Sequence, residues 1–308
     1  MRAKSILSGG LLAALLSLTS CIVDVGDWQR YSKDFHSSYP LKPGGTLTVE
    51  TFNGAIDIST WDENTVDISG VKYGPSQYEA DNLRVDIDHT SSSVSIHVQR
   101  PTDRHHNEGA RLTIKAPRGT QFDRIVTSNS SIRTEDGAGP AHMKSSNGSI
   151  HVTNLHGELD AETSNSSIEI VGVDGNVRAH TSNGHIRAER VNGSMDASTS
   201  NNGVNIEVAR TDKDIRIDTS NGAVELDLPR NFSSNVHIQT NNDPITLRMS
   251  DGTNARISAH TSNSSIDTEF EIRAQGELSR NRLEGVIGNG GPLIELGTSN
   301  GPIKLLKQ

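Results

Sequence analysis

The chain has 308 residues, with 29 lysines and arginines against 38 aspartates and glutamates, which gives a formal net charge of -9. This excess of negative charge argues against nucleic acid and anionic lipid headgroups as partners. Only 32% of the residues are apolar and 4% are aromatic, which excludes a thick core of large side chains. Because apolar residues alternate with polar ones, the sequence predicts short strands around a narrow core rather than a disordered chain.

The N-terminal segment has the features of an export signal. Arg2 and Lys4 precede an apolar run, Leu11 to Leu18, which is too short to span a bilayer and is typical of a signal peptide. The run ends in LTSC, which is similar to a bacterial lipobox and implies cleavage before Cys21 and acylation of that cysteine. An ordinary secretory signal followed by a chance cysteine is the alternative. We therefore expect residues 1–20 to be a lipoprotein signal peptide and 21–43 the lipidated cysteine and a tether.

The predicted anchor also predicts a location. Acyl chains on Cys21 would hold the protein at a membrane of the cell envelope. Ile22 follows the cysteine, and an aspartate at that place is the usual signal for retention at the inner membrane. By this analogy we expect the outer membrane in a cell with two membranes, and the outer face of the membrane in a cell with one.

The rest of the chain repeats a short signature. T-S-N or a close variant occurs nine times, with first steps of 18, 18, 18, 18 and 20 residues, and it starts at Thr127, Ser145, Thr163, Thr181, Thr199, Thr219, Thr240, Thr261 and Thr298. An earlier copy begins at Thr51. An aliphatic residue follows five places after each start, as at Ile150 and Ile168. An apolar residue usually comes two places further on, which is the alternation of a strand with one buried face.

A unit this short cannot bury its apolar row alone, but stacked copies can. The sequence predicts an all-β fold, a parallel β-helix (β-solenoid) with coils of about 18–21 residues and room for about fourteen coils. A stack of antiparallel β-hairpins is the alternative. Residues 127–308 are the regular repeats. Residues 44–126, most of which lack the signature, are expected to form N-terminal coils or a capping subregion.

The signature asparagines are the candidate surface of this rod. Asn-Gly pairs suggest a corner where the backbone adopts positive φ, and stacked asparagines can hydrogen-bond to one another along the rod. A row of amides could also bind a ligand, although a purely structural corner is the favoured interpretation. The candidate corner residues are Asn129, Asn147, Asn165, Asn183, Asn201, Asn221, Asn263 and Asn300.

These residues together resemble a known family. The signal peptide, the lipobox, the T-x-N-G-x-I-x-I corners and the V-x-G-x-V strands are similar to the bacterial putative-adhesin family, a domain of unknown function related to the head GIN domain. The resemblance covers about Thr46 to Lys307. It implies a right-handed, single-stranded β-helix on the cell envelope and brings no catalytic residues to this chain.

No motif indicates catalysis, a cofactor or a metal. Asp103 to Glu108 reads DRHHNE, but His105 and His106 would point to opposite faces of a strand, so a solvated loop is the better interpretation. His180 and His260 each precede a corner, at a position that varies widely from coil to coil and is therefore expected at the surface. The acidic residues are scattered along the repeat, whereas a polysaccharide-cleaving enzyme needs them clustered.

The leading functional hypothesis is a non-enzymatic envelope lipoprotein that serves as an adhesin or scaffold. Its expected partners are the membrane, through the lipid anchor, and an envelope glycan or protein. A second copy is a further candidate, because GPIKLLKQ would close the chain as an unpaired strand. The alternatives are a polysaccharide-acting enzyme on the same scaffold and an accessory protein of envelope-stress signalling.

Overall fold

The computed structural model describes residues 31–100 and 107–308. The predicted signal peptide, Cys21 and the histidine pair His105 and His106 lie outside these ranges. The described part of the chain contains no helix with the length and apolarity that a membrane crossing requires.

The described residues form 27 strands and one short helix. The N-terminal elements are β1 (Tyr31–Pro40), β2 (Thr46–Glu50), β3 (Ile56–Trp61), β4 (Thr65–Gly74), α1 (Gln77–Asn82), β5 (Val85–His89), β6 (Ser93–Val98), β7 (Gly109–Pro117) and β8 (Gln121–Val126). The regular coils contain β9 (Ile132–Ala138), β10 (Ala141–Lys144), β11 (Ile150–His156), β12 (Leu159–Glu162), β13 (Ile168–Asp174), β14 (Val177–His180), β15 (Ile186–Asn192), β16 (Met195–Ser198), β17 (Val204–Arg210), β18 (Ile215–Asp218), β19 (Val224–Asp227), β20 (Val236–Gln239) and β21 (Ile245–Met249). The C-terminal elements are β22 (Ala255–Thr261), β23 (Ile266–Thr268), β24 (Ile272–Leu278), β25 (Arg282–Ile287), β26 (Leu293–Thr298) and β27 (Ile303–Lys307).

The repeats stack as a parallel β-solenoid, which confirms the predicted fold class. Each coil contributes one strand to each of two parallel stacks. One stack runs β7, β3, β9, β11, β13, β15, β17, β19, β21, β27 and β23. The other runs β6, β2, β8, β10, β12, β14, β16, β18, β20, β26 and β22. Antiparallel pairing is confined to the two ends, so the hairpin alternative is wrong for the repeats.

The core is a set of aliphatic rows between the two stacks. Ile150 pairs in register with Ile132 on one side and Ile168 on the other, and all three are completely buried. Burial of one such side chain contributes about 1.5–3 kcal/mol to the free energy of unfolding. Since each row repeats at every coil, small strands with few aromatic residues suffice to hold the rod together.

The N-terminal end of the rod is closed by antiparallel strands. β4 pairs with β7 and β1 pairs with β4, while β5 pairs with β6. Helix α1 begins after Ser76, whose hydroxyl accepts a hydrogen bond from the backbone N–H of Glu79, and the buried Ala80 lies on it. These additions cover the edges of the outermost parallel strands, which would otherwise be free to pair with another chain.

The order of coils along the rod differs from their order in the chain at both ends. The coil of β6 and β7 lies outside the coil of β2 and β3. The last coil, β26 and β27, lies between the coil of β20 and β21 and that of β22 and β23. Eleven coils result, fewer than the expected fourteen, because the remaining strands form the caps.

This order corrects one sequence-based expectation. The C-terminal strand β27 is paired along both edges, so it is not the open strand that the sequence suggested. The reason given for self-association is therefore wrong. At the C-terminal end β25 pairs antiparallel with β22, and β24 pairs with β25 as the outermost strand.

Candidate functional site

The T-S-N signature forms one corner of every regular coil, and its first residue is buried. The hydroxyl of Thr181 donates to the carbonyl oxygen of Ser166 at 3.0 Å and accepts from the backbone N–H of Gly184 at 3.2 Å. The equivalent hydroxyls donate to the neighbouring coil at 2.9–3.3 Å in all nine signature corners. At the corner, backbone N–H and C=O groups lose their partners in the neighbouring strands. Each buried hydroxyl forms hydrogen bonds with such groups.

Glycine is needed at the corners for a reason other than the positive φ that the sequence suggested. Positive φ occurs at Gly54 but not at Gly148, Gly184, Gly222 or Gly301. At those four positions a Cβ atom would overlap a backbone carbonyl oxygen of the adjacent coil. Glycine is therefore required by the close approach of two backbones, not by a left-handed conformation.

The signature asparagines form a continuous ladder of amides, which we call the corner ladder. Each Nδ2 donates to the Oδ1 of its neighbour at 2.6–3.1 Å. In order along the rod the ladder contains Asn129, Asn147, Asn165, Asn183, Asn201, Asn221, Asn242, Asn300 and Asn263.

The structure thus brings together all eight candidate asparagines and adds Asn242. That residue lies two places after Thr240, the same offset as in every other corner, so its signal was present in the T-N-N variant. Asn53 does not join the ladder, because its Nδ2 donates to the carbonyl of Glu108 at 2.9 Å.

The corner ladder keeps hydrogen-bonding capacity for a ligand. All nine side chains are exposed. An amide has two N–H donors and two acceptor lone pairs, and each interior rung uses one N–H and one lone pair within the ladder. In four rungs Nδ2 also donates to a backbone carbonyl of the adjacent coil at 3.3–3.5 Å, so the capacity that is left is mainly the second lone pair of each Oδ1. With coils about 4.8 Å apart, the ladder is a polar strip about 38 Å long.

One end of the corner ladder opens on a groove. The groove has a volume of about 510 Å³ and is lined by Asn53, Tyr73, Asn107, Arg111 and Asn129, among others. An aromatic ring, a guanidinium and several amides can pack against and hydrogen-bond a polar ligand. This groove could not be predicted from the sequence, because two of its walls, from β4 and β7, carry no corner signature.

Acidic and basic side chains alternate from coil to coil on the strand faces. Lys144 lies 2.7 Å from Glu162, and His142 lies 3.2 Å from Asp160. The hydrogen bond from Lys144 is the main reason that the pKa of Glu162 is lowered, and burial opposes it. Among residues 31–100 and 107–308, no group of three or more His, Cys, Asp or Glu side chains could hold a metal ion. Because their side chains are exposed, each of these pairs contributes little to stability.

The histidines singled out in the sequence lie apart from one another. His180 ends β14, where its Nδ1 lies 2.6 Å from the Ser198 hydroxyl, and His260 lies on β22 near the C-terminal cap. Both are exposed. They do not converge on a site.

The solved structures that match this chain include bacterial proteins described as putative adhesins or a putative cell adhesion protein. A putative adhesin from Parabacteroides merdae is 10% identical, with 89% of this chain and 96% of that chain covered and a TM-score of 0.41. A putative cell adhesion protein from Clostridium sporogenes is 12% identical, with 90% and 100% covered and a TM-score of 0.28. A putative adhesin from Bacteroides fragilis is 12% identical, with 89% and 97% covered and a TM-score of 0.27.

The family assignment comes from the sequence. No curated protein matches this chain. The model of a family described as Toastrack DUF4097 matches residues 38–243, more than half of the chain. The resemblance to bacterial domains of unknown function is thereby confirmed, and the chain belongs to the Toastrack DUF4097 family.

Proposed function

We propose that this protein is a non-enzymatic rod of the cell envelope that binds an envelope glycan or protein along its corner ladder, as an adhesin or scaffold. The observation that carries the proposal is the exposed ladder of nine asparagines, which presents a row of amide oxygens with remaining acceptor capacity, one from each coil. A polymer with its own regular repeat can make the same contact several times on such a strip, and repeated weak contacts add up to firm binding.

The predicted lipid anchor is compatible with this role. Cys21 precedes Tyr31, the first residue of β1, by ten residues. Because β1 belongs to the N-terminal cap, a lipid on Cys21 would join the rod at that end and leave the corner ladder free along its side. The lipid anchor and the outer-membrane location remain part of the proposal.

Binding is proposed in preference to catalysis because of the charges. In the described residues several carboxylates on the strand faces lie opposite lysine, arginine or histidine, as Asp57 does opposite Arg133 and Asp196 opposite Arg178. A glycoside-cleaving site needs two carboxylates facing one another across a substrate cleft. Glu207 and Asp227 lie opposite one another beside a groove, but Asp227 is also paired with the Arg248 guanidinium at 3.1 Å. The measurement of new saccharide ends is therefore part of the test.

The test uses residues 22–308 without the lipid. The protein is mixed with peptidoglycan, with outer-membrane vesicles and with an acidic polysaccharide, and both co-sedimentation and new saccharide ends are measured. The ladder variant carries Asn165→Ala, Asn183→Ala and Asn201→Ala. The matched control carries Asn205→Ala, Asn231→Ala and Asn289→Ala, three exposed asparagines away from the ladder.

We expect saturable binding to at least one fraction, no new saccharide ends, and binding about tenfold weaker for the ladder variant only. Circular dichroism verifies that both variants are folded. Equal binding by the ladder variant and its control would show that the corner ladder is not the binding face. New saccharide ends that accumulate with time would make the protein an enzyme, and no binding to any fraction would contradict the proposed function.

A further inference from the structure

The turn opposite the corner lengthens along the regular region, from two residues in the early coils to eight, 228–235, between β19 and β20. The first lengthened turn lies between β17 and β18. Two residues separate β15 from β16, whereas four residues, 211–214, separate β17 from β18. The extra turn is ordered by Thr211, which is buried. Its hydroxyl donates to the carbonyl of Lys213 at 2.6 Å and accepts from the N–H of the same residue at 3.1 Å. Insertions in repeat proteins often lie on a binding face.

The inserted turn forms the roof of a cleft. The Lys213 ammonium reaches back across two coils, past Gly193, and donates to Oδ1 of Asn176 at 3.0 Å. A cleft of about 520 Å³ lies beneath it, with Asn192 and Arg210 also in its lining. That volume falls within the roughly 300–1,000 Å³ range of ligand sites. We call it the turn cleft.

Two cationic side chains, Arg210 and Lys213, belong to the lining of the turn cleft. Arg210 is exposed and forms no ion pair with any residue of 31–100 or 107–308. The ammonium of Lys213 has three N–H donors, of which the Asn176 contact uses one. Two cationic groups with unused N–H donors at one cleft suit an oxyanion, because charge-assisted hydrogen bonds are about twice as strong as neutral ones.

The carboxylates at the same cleft restrict the kind of oxyanion. Glu158 and Asp212 belong to the lining. They would repel a doubly charged phosphate more than a singly charged carboxylate, and they can accept hydrogen bonds from hydroxyl groups. Cations, amides and carboxylates together therefore match a group that carries one carboxylate among several hydroxyls.

We propose that the turn cleft binds the carboxylate of an acidic saccharide of the uronic acid type, with Arg210 and Lys213 on the carboxylate and the neighbouring polar groups on the sugar hydroxyls. This site lies at the opposite turn of the coil from the corner ladder, and it does not require the ladder to bind anything.

The experiment is titration calorimetry at low ionic strength with three short probes: trigalacturonate, tripolyphosphate and the uncharged maltotriose. The test variant is Arg210→Gln with Lys213→Gln. The control is Lys42→Gln with Arg280→Gln, which removes the same charge from two exposed cations in the caps. The ladder variant Asn165→Ala, Asn183→Ala, Asn201→Ala is measured in parallel, so that failure of the corner ladder and failure of the turn cleft are distinguished.

We expect saturable trigalacturonate binding that weakens with added salt, falls about tenfold or more in the cleft variant, and persists in the control and in the ladder variant. Side-chain amide signals of Asn176 and Asn192 should shift in NMR spectra during the titration. Equal losses in the cleft variant and the control would indicate non-specific attraction and overturn the proposal. Tighter binding of tripolyphosphate, equal binding of maltotriose, or no binding by the unmodified protein would also overturn it.

Discussion

At the corner of a coil, one residue sets how closely two backbones approach. Gly184 lies where the carbonyl oxygen of Ser166 passes from the adjacent coil, and the buried Thr181 hydroxyl bridges the same two groups. A larger residue would have to push the coils apart at this point. The exposed amide ladder depends on that separation, because its hydrogen bonds tolerate little lengthening.

Replacement of Gly184 with alanine should therefore destabilise the rod strongly. The added Cβ meets backbone rather than a movable side chain, so we expect the free energy of unfolding to fall by about 3 kcal/mol. Gly252→Ala is the matched control, because a Cβ there meets nothing within 4 Å. Urea denaturation measures both. Similar small losses for the two variants would mean that the corner backbone relaxes easily.

The pair of Lys144 and Glu162 makes a pH-dependent contribution to stability. Lys144 holds the pKa of Glu162 below its ordinary value of 4.5, so the folded state favours the charged carboxylate. The contribution is present above that ordinary pKa and is lost as the pH falls through the lower pKa of the folded state.

A double-mutant cycle with Lys144→Gln and Glu162→Gln measures this pair. Because both side chains are nearly half exposed, we expect a coupling energy of only about 0.5 kcal/mol at neutral pH, and none near pH 2. The variants Arg216→Gln and Asp218→Gln give a second surface pair for comparison. A coupling that grows as the pH falls would contradict the assigned sign.

At the scale of the element, the strands of the regular coils could be predicted from the sequence. Ile132, Ile150 and Ile168 recur every 18 residues with apolar partners at strand spacing, and a period of two has one buried face in a strand. The same pattern predicted the row of asparagines, since residues at equal offsets in stacked coils become neighbours. What the pattern could not give was the reason for the corner glycines, because close approach of two backbones leaves no separate mark in the sequence.

The antiparallel end strands and the turn cleft could not be predicted from the repeat pattern. β4 and β5 pair antiparallel with strands of the end coils, and no corner signature accompanies them. The turn cleft was visible only as a 20-residue step between Thr199 and Thr219. A two-residue insertion indicates a longer loop. It does not indicate that the Lys213 side chain extends back over two coils to hydrogen-bond Asn176. Side-chain direction in a turn depends on the surrounding structure.

At the scale of the whole molecule, both ends of the rod are interlocked. Ile56, from the first coil of the chain, lies between Leu112 and Ile132 of later segments. Ile303, from the last coil, lies between Ile245 and Ile266. Every coil presents the same kind of apolar row. The sequence therefore does not show whether the coils stack in the order of the chain or in the interlocked order found here. If the coils stacked in chain order, unfolding could begin at the last coil of the chain. In this structure the last coil, β26 and β27, is paired with another coil on each side.

Deletion of residues 293–308, which form β26 and β27, should therefore remove an interior coil and leave β22 and β23 without the strands on which they stack. We expect limited proteolysis with mass spectrometry to show cleavage between residues 250 and 292 at least about tenfold faster than in the full chain, because loss of a neighbouring coil removes the interface that stabilises a repeat. The control replaces β24, the outermost strand, with a Gly-Ser segment of equal length, and should leave residues 255–268 protected. If the deletion left that segment as protected as the control does, the C-terminal coils would stack in simple chain order and the interlocked arrangement would be wrong.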